Sequence, residues 1–142
     1  MGGHEVTYLL DTNVWLFGYL EPEVLPEEIQ RILDTRDVQL GLSAISVWEA
    51  AKKQQVGKLD LKQELNAWLK GALAAHIHLL PLSPEIIADA MVLPDFPVRD
   101  PADELIVATA RVHKLTLLTT DTKLKSYRHA RIKYFTPVFG KK

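Results

Sequence analysis

The chain has 142 residues, about one domain's length, and 47% of them are apolar and 25% charged. This is ordinary globular usage, and it excludes a disordered chain or a collagen-like repeat. Cysteine is absent, which removes disulfides, thiolate zinc sites, iron–sulfur clusters and cysteine nucleophiles. Basic and acidic residues number 17 and 18, a net charge of −1, so a chromatin-type basic protein is excluded while a local phosphate-binding patch is not.

The elements follow in chain order. Val6-Thr7-Tyr8-Leu9-Leu10 is a β-rich run that stops at Asp11 and predicts a strand. Asn13 to Tyr19 reads as a short helix, and Pro26 to Leu33 opens on proline and two acids, a helix start. Val38 to Leu42 predicts a second strand. Ser43 to Gln55 predicts a helix with Ile45, Trp48, Ala51 and Lys52 on one stripe. Asp60 to Leu73 has the clearest helical spacing, in Leu61, Leu65, Trp68, Leu69 and Leu73, with Asp60 as N-cap.

Ile77 to Leu82 predicts a third strand and Pro84 to Met91 a helix. Leu93 to Arg99, with Pro94 and Pro97, is a loop. Pro101 to Lys114 has almost no polar face and predicts a buried helix. Leu115 to Thr119 and Ile132 to Phe135 are the fourth and fifth strands. Strands alternate with helices, so the expected fold class is α/β. It is a three-layer α/β/α sandwich on a central parallel sheet of four to five strands, one domain over 1–142. No apolar run reaches the roughly 18 residues of a membrane helix. The opening Met1 to Glu5 lacks signal-peptide character. The expected location is the cytoplasm.

In an open α/β sheet the site lies beyond the carboxyl ends of the strands. Asp11 follows strand one, Glu49 lies in the helix after strand two, Asp103 opens the buried helix, and Asp121 follows strand four. Each acid also has a local reading. Asp100-Pro101-Ala102-Asp103 fits N-cap, proline at N1 and an acid at N3. Ser46-Val47-Trp48-Glu49 fits a capping box, Asp121 a cap over a short helix, and Asp11 a turn. Jointly those readings weaken. Like charges gathered on one edge repel unless something positive sits among them, and Mg²⁺ or Mn²⁺ prefers such carboxylate oxygens.

The segments Leu9-Leu10-Asp11-Thr12-Asn13, Ser46-Val47-Trp48-Glu49, Asp100-Pro101-Ala102-Asp103-Glu104-Leu105-Ile106-Val107-Ala108-Thr109-Ala110 and Thr119-Thr120-Asp121 together resemble the PIN domain. More narrowly they are similar to VapC-type toxins of toxin–antitoxin pairs, and the order, spacing and chain length agree. Ser43 to Glu49 and Gly57-Lys58-Leu59 also look typical of that branch. The resemblance implies a metal-dependent endoribonuclease that hydrolyses RNA phosphodiesters. Asp11, Asp103 and Asp121 would hold Mg²⁺ or Mn²⁺, and Glu49 would bind the metal or orient water. Asn13 falls where the family often has a polar helper, Thr120 lies beside the last acid, and Asp100 is a fifth acid. The toxin branch often has arginine after the second acid of the Asp-Pro-x-Asp motif. Here it is Glu104, so no basic contact carries over. The resemblance also implies a small antitoxin partner and a homodimer through the Ser43–Leu73 helix pair.

Lys123, Lys125, Arg128, His129, Arg131 and Lys133 form a basic run, read either as a solvated loop or as a phosphate-contacting rim. Arg99, Lys52, Lys53 and Lys58 are weaker candidates for the same role. His76 and His78 lack a third ligand at zinc spacing, and Trp15, Trp48 and Trp68 are read as core or interface. Two other folds are disfavoured by single residues. A haloacid-dehalogenase-like phosphatase needs an acid where Asn13 stands, and a receiver domain needs a paired acid and a late lysine that are not evident. A catalytically silent PIN-like module that binds RNA or protein is the alternative of a different class.

Overall fold

A computed structural model describes residues 6–73 and 76–139; the Met1 to Glu5 stretch lies outside the described residues. Five strands, β1 (Val6–Leu10), β2 (Gln39–Ser43), β3 (Ile77–Leu80), β4 (Thr116–Thr119) and β5 (Arg131–Tyr134), form one sheet in the order β3-β2-β1-β4-β5. All four pairings are parallel. The helices are α1 (Thr12–Leu20), α2 (Glu27–Asp34), α3 (Ala44–Gln55), α4 (Leu65–Ala72), α5 (Pro84–Ala90) and α6 (Pro101–His113). Parallel strands need crossover connections, and here helices supply most of them, so both sheet faces are covered.

Strand alternation assigns the side chains to the two faces. Leu10, Leu40, Leu42 and Leu118 pack with Val14, Trp15, Ile29, Trp68 and Ala72 on one side. Leu9, Leu115 and Leu117 pack with Ile106, Val107 and Ala110 of α6 on the other. A smaller cluster joins Ile86 and Ala90 of α5 to Ala108 of α6. The expected three-layer sandwich is thereby observed, with five strands, and α6 is the buried helix its composition predicts.

Two expectations about helices are corrected. The helix expected from Asp60 starts at Leu65, capped by Glu64, whose side chain accepts from Ala67 N at 3.2 Å. Asp60 instead closes a turn, accepting from Lys62 N at 2.8 Å, and Lys62 takes the left-handed conformation at φ 61°, which a helix cannot continue through. In α3 the N-cap is Ser43, which accepts from Ile45 N, so Ser46 and Glu49 form no capping box. The inward residues of α3 are the small Ser46 and Ala50, and Trp48, read as core or interface, is not in the core but 57% exposed. Trp15 and Trp68 are core residues as expected.

Candidate active site

Parallel strands end on the same edge, and here that edge gathers the acids. Asp11, Glu49, Asp100, Asp103 and Asp121 line one cavity of about 460 Å³ together with Thr12, Asn13, Lys53, Thr120 and Thr122. The five come from four separate segments of the chain, and the structure brings all of them together.

Local structure aims each one. Asp11 is the N-cap of α1, its Oδ1 accepting from Thr12 N at 2.9 Å, and its other oxygen takes the Thr119 hydroxyl proton at 2.6 Å. Thr119 Oγ1 in turn accepts from Asp121 N at 3.0 Å. One buried hydroxyl at the end of β4 therefore holds the acids that follow β1 and β4. Asp121 caps a single 3₁₀ turn over 122–124, accepting from Lys123 N. Asp100 caps α6, accepting from Ala102 N at 2.9 Å. The capping readings of Asp11, Asp100 and Asp121 are thus correct locally, and each capping acid still faces the cavity.

Glu49 is placed by its helix face. It lies three residues after buried Ser46 and four before Lys53, positions that share one side of a helix, and both Glu49 and Lys53 line the cavity. Thr12 Oγ1 donates to Glu49 Oε1 at 2.5 Å and lies 2.7 Å from Ser46 Oγ. A hydroxyl has one proton, and the carboxylate is the stronger acceptor. Lys53 Nζ lies 3.4 Å from Asn13 Oδ1, so the polar helper of the sequence motif meets the cavity's lysine.

The cavity lining sets five carboxylates against one cation, Lys53. Burial raises the Asp103 carboxyl from 3.8 to about 7, and the charges of Asp11, Asp100, Glu49 and Asp121 push the same way. Burial also raises Asp11, against the lowering effect of the Thr119 and Thr12 hydrogen bonds, with Glu49 and Asp121 adding repulsion. Among the described residues the ion pairs join Arg111 to Asp89, His129 to Asp95 and Lys133 to Glu28, and none involves the five acids. The donor set is all hard oxygen, which fits Mg²⁺ or Mn²⁺. As the side chains stand, no three His, Cys, Asp or Glu groups among the described residues close on one ion. An ion that keeps several of its own waters can be held by some of these acids directly and by others through those waters, and needs no such cage.

The family model described as PIN domain matches residues 8–130. The chain belongs to the PIN-domain family.

The PIN domain here is 35% identical over 125 residues to Ribonuclease VapC22 of Mycobacterium tuberculosis, covering 88% of this chain and 95% of that protein. Two solved structures share the fold. VapBC2 from Rickettsia felis, bound to a DNA fragment from their promoter, superposes with TM-score 0.69 at 18% identity, over 91% of this chain and 98% of that one. A toxin–antitoxin complex from Klebsiella pneumoniae gives 0.63 at 19% identity, over 89% and 96%.

Sequence reasoning missed the hydroxyls of this PIN domain. It singled out Thr120, which lines the cavity, while the contact to Asp11 is made by Thr119. The available signal was a polar residue ending an otherwise apolar strand, since a buried hydroxyl needs a partner. The histidines behave as structural groups. His76 Nε2 pairs with Leu33 O at 2.9 Å, and His78 Nε2 with Gln39 Oε1.

Proposed function

We propose that this chain is a metal-dependent endoribonuclease, one domain over 1–142, acting in the cytoplasm as the toxin of a toxin–antitoxin pair. The observation that carries the reading is one cavity lined by five carboxylates with no ion pair to any of them among the described residues. Identity to a ribonuclease over most of both chains supports the same chemistry. Asp11, Asp103 and Asp121 are the proposed Mg²⁺ or Mn²⁺ ligands, with Glu49 as a fourth acid that binds the metal or orients water. When bound, the cation supplies Lewis acidity toward the phosphate oxygens and offsets the charge that builds up during phosphodiester hydrolysis.

The chain's own residues do the positioning. Thr119 holds one oxygen of Asp11. Thr12 holds Oε1 of Glu49, which leaves Oε2 to accept from water. Lys53 is the cation that lines the cavity, in a place to meet a phosphate that the acids would otherwise repel. Asp100 stays with the cap of α6.

The proposed partners are an RNA substrate, a small antitoxin and a second copy of the chain. Antitoxin-bound structural neighbours support the second. For the third, much of the apolar stripe expected between Asp60 and Leu73 is spent on the core, since Leu61, ahead of α4, and Trp68, within it, are buried there, but α3 leaves Trp48 exposed. No helix among the described residues is long and apolar enough to cross a membrane.

The test is incubation of purified protein with total cellular RNA, with Mn²⁺ or with excess EDTA. Cleavage in Mn²⁺ that stops in EDTA and in Asp11→Asn supports the reading. Cleavage that persists in chelator removes the metal, and binding without any cleavage leaves the silent binding module.

A further inference from the structure

The basic run after Asp121 divides in the structure. Lys133 pairs with Glu28 of α2 at 3.1 Å, and Lys125 sits over the Tyr134 ring. Lys123, Arg128 and Arg131 turn instead onto a succession of hollows. Thr122 lines the acidic cavity, and its neighbour Lys123 lines a second hollow of about 260 Å³. Arg128 and His129 line both that hollow and a third of about 610 Å³, which Arg111, Lys114 and Arg131 complete. Arg131 pairs with Thr116 at the start of β4, whereas Tyr134 pairs with Thr119 beside the acids. The succession therefore runs from the acidic edge to the opposite edge of the sheet, about 10 Å along β5 at strand rise.

Its chemistry is that of a polyanion track. Five permanent cations line the second and third hollows against two carboxylates. One of those, Asp89, is held by Arg111 Nε at 2.7 Å. Two arginines are pre-positioned by main-chain carbonyls: Arg111 Nη1 donates to His129 O and Arg131 Nη1 to Lys114 O. Between the cations the exposed His129 ring rests against Tyr127, with centroids 5.6 Å apart, a surface on which a base can stack. Cations interleaved with a ring suit a flexible single strand, because its phosphates and unpaired bases are both accessible.

We propose that this groove carries the single-stranded RNA flanking the scissile phosphate, from the acidic cavity past Lys123 and Arg128 to Arg131. The inference rests on the ribonuclease reading, which it extends by giving the substrate a path.

The experiment measures fluorescence anisotropy of the full chain in EDTA, against a mixed-sequence RNA of about 16 nucleotides and one of about four, the span of single-strand site sizes. Lys123→Gln with Arg128→Gln should weaken binding of the longer RNA roughly tenfold at low salt. It should also flatten the log Kd against log salt plot by about 1.4, since each single-strand phosphate contact contributes about 0.7. The Tm should not change, and the shorter RNA, which spans fewer of the cations, should bind wild type more weakly and lose less affinity in the variant. Arg131→Gln should act in the same direction, and Lys125→Gln, on the same run but off the groove, should have no effect. Unchanged affinity and slope in the double variant, or an equal effect of Lys125→Gln, overturns the track. So does a polyglutamate peptide that displaces the RNA more effectively than unlabelled RNA does, since the groove would then fit an acidic protein segment. Metal-dependent cleavage is read separately. Cleavage with variant-insensitive binding sinks the track alone, and variant-sensitive binding without cleavage sinks the nuclease and leaves an RNA-binding groove.

Discussion

The hydroxyl of Thr119 donates to Asp11 Oδ2 at 2.6 Å across 108 positions of sequence. Thr119 Oγ1 in turn accepts from Asp121 N, so a single side chain sets the spacing of the acids that follow β1 and β4. A bond to a charged acceptor in a buried place contributes about 1.5–3 kcal/mol. Thr119→Val keeps the shape and removes that donor. It should lower stability by about that amount and reduce RNA cleavage, while Thr119→Ser should retain most of both. Urea unfolding of the three proteins, with a cleavage assay beside it, is the check.

Stability of the metal-free protein should fall as pH rises from about 4 to about 7. Asp103 titrates near 7 in the folded chain against 3.8 as its ordinary value. Between those values the native state keeps a proton that the unfolded state has released, so raising the pH favours unfolding. Asp11 is also raised and acts in the same direction. In EDTA, wild type should be more stable at about pH 5 than at about pH 8, and Asp103→Asn should flatten the dependence without abolishing it. A profile in Asp103→Asn identical to wild type would mean that Asp103 does not carry the buried proton.

Asp103→Asn also separates a first-turn acid from a metal ligand. Removing a charge that only interacts with the α6 dipole should cost about 0.3–1 kcal/mol. Removing one of five clustered acids should instead leave the metal-free protein at least as stable at about pH 8, where Asp103 is ionised. For a ligand, the stabilisation by Mn²⁺ should shrink, because it follows RT ln(1 + [L]/Kd) and reaches about 2.7 kcal/mol only at roughly 100 times Kd. Thermal melts of both proteins in EDTA and in Mn²⁺ supply the comparison. A variant that loses stability in EDTA yet keeps the whole Mn²⁺ shift would place Asp103 outside the metal site.

Expression of the chain without an antitoxin should arrest bacterial growth, and Asp11→Asn at equal protein level should relieve the arrest. Growth curves with immunoblots test this. Continued arrest with Asp11→Asn would show that the toxicity does not come from the acidic cavity.

Self-association should depend on Trp48, which stands out from α3 at 57% exposure. Tryptophan is enriched at the centres of protein interfaces, and here it offers a large apolar contact area on the outer side of α3. Wild type should scatter light as a dimer at tens of micromolar, and Trp48→Glu should shift it toward monomer without lowering the Tm. A wild-type monomer under those conditions would mean that Trp48 serves another surface.

Much of this protein follows from local chemistry alone. The β-rich run to Leu10, the Asp100-Pro101 cap and the apolar length of α6 are short-range signals, and each formed the element it predicts. The acids meet because parallel strands present their carboxyl ends on one edge, so Asp11 and Asp121 could be placed on that edge from the alternation of strands and helices, while the pairing of β1 with β4 that sets them side by side could not. The rest needed contacts between distant segments. Nothing near Thr12 in sequence indicates Glu49, which lies 37 positions away, and nothing near Thr119 indicates Asp11. Helical spacing ran back to Asp60, but the left-handed turn at Lys62 stopped α4 at Leu65, because periodicity reports which face is apolar and not where backbone geometry breaks. Trp48 lies on the outer side of α3 because the inward positions are Ser46 and Ala50, small enough for close approach to α1, where Ser46 meets Thr12. The basic run was visible as a composition. Only the packing of β5 against α2 and α6 divided it, committing Lys133 to Glu28 while Arg128 and Arg131 face the groove, since a charge's partner is set by what the fold brings beside it.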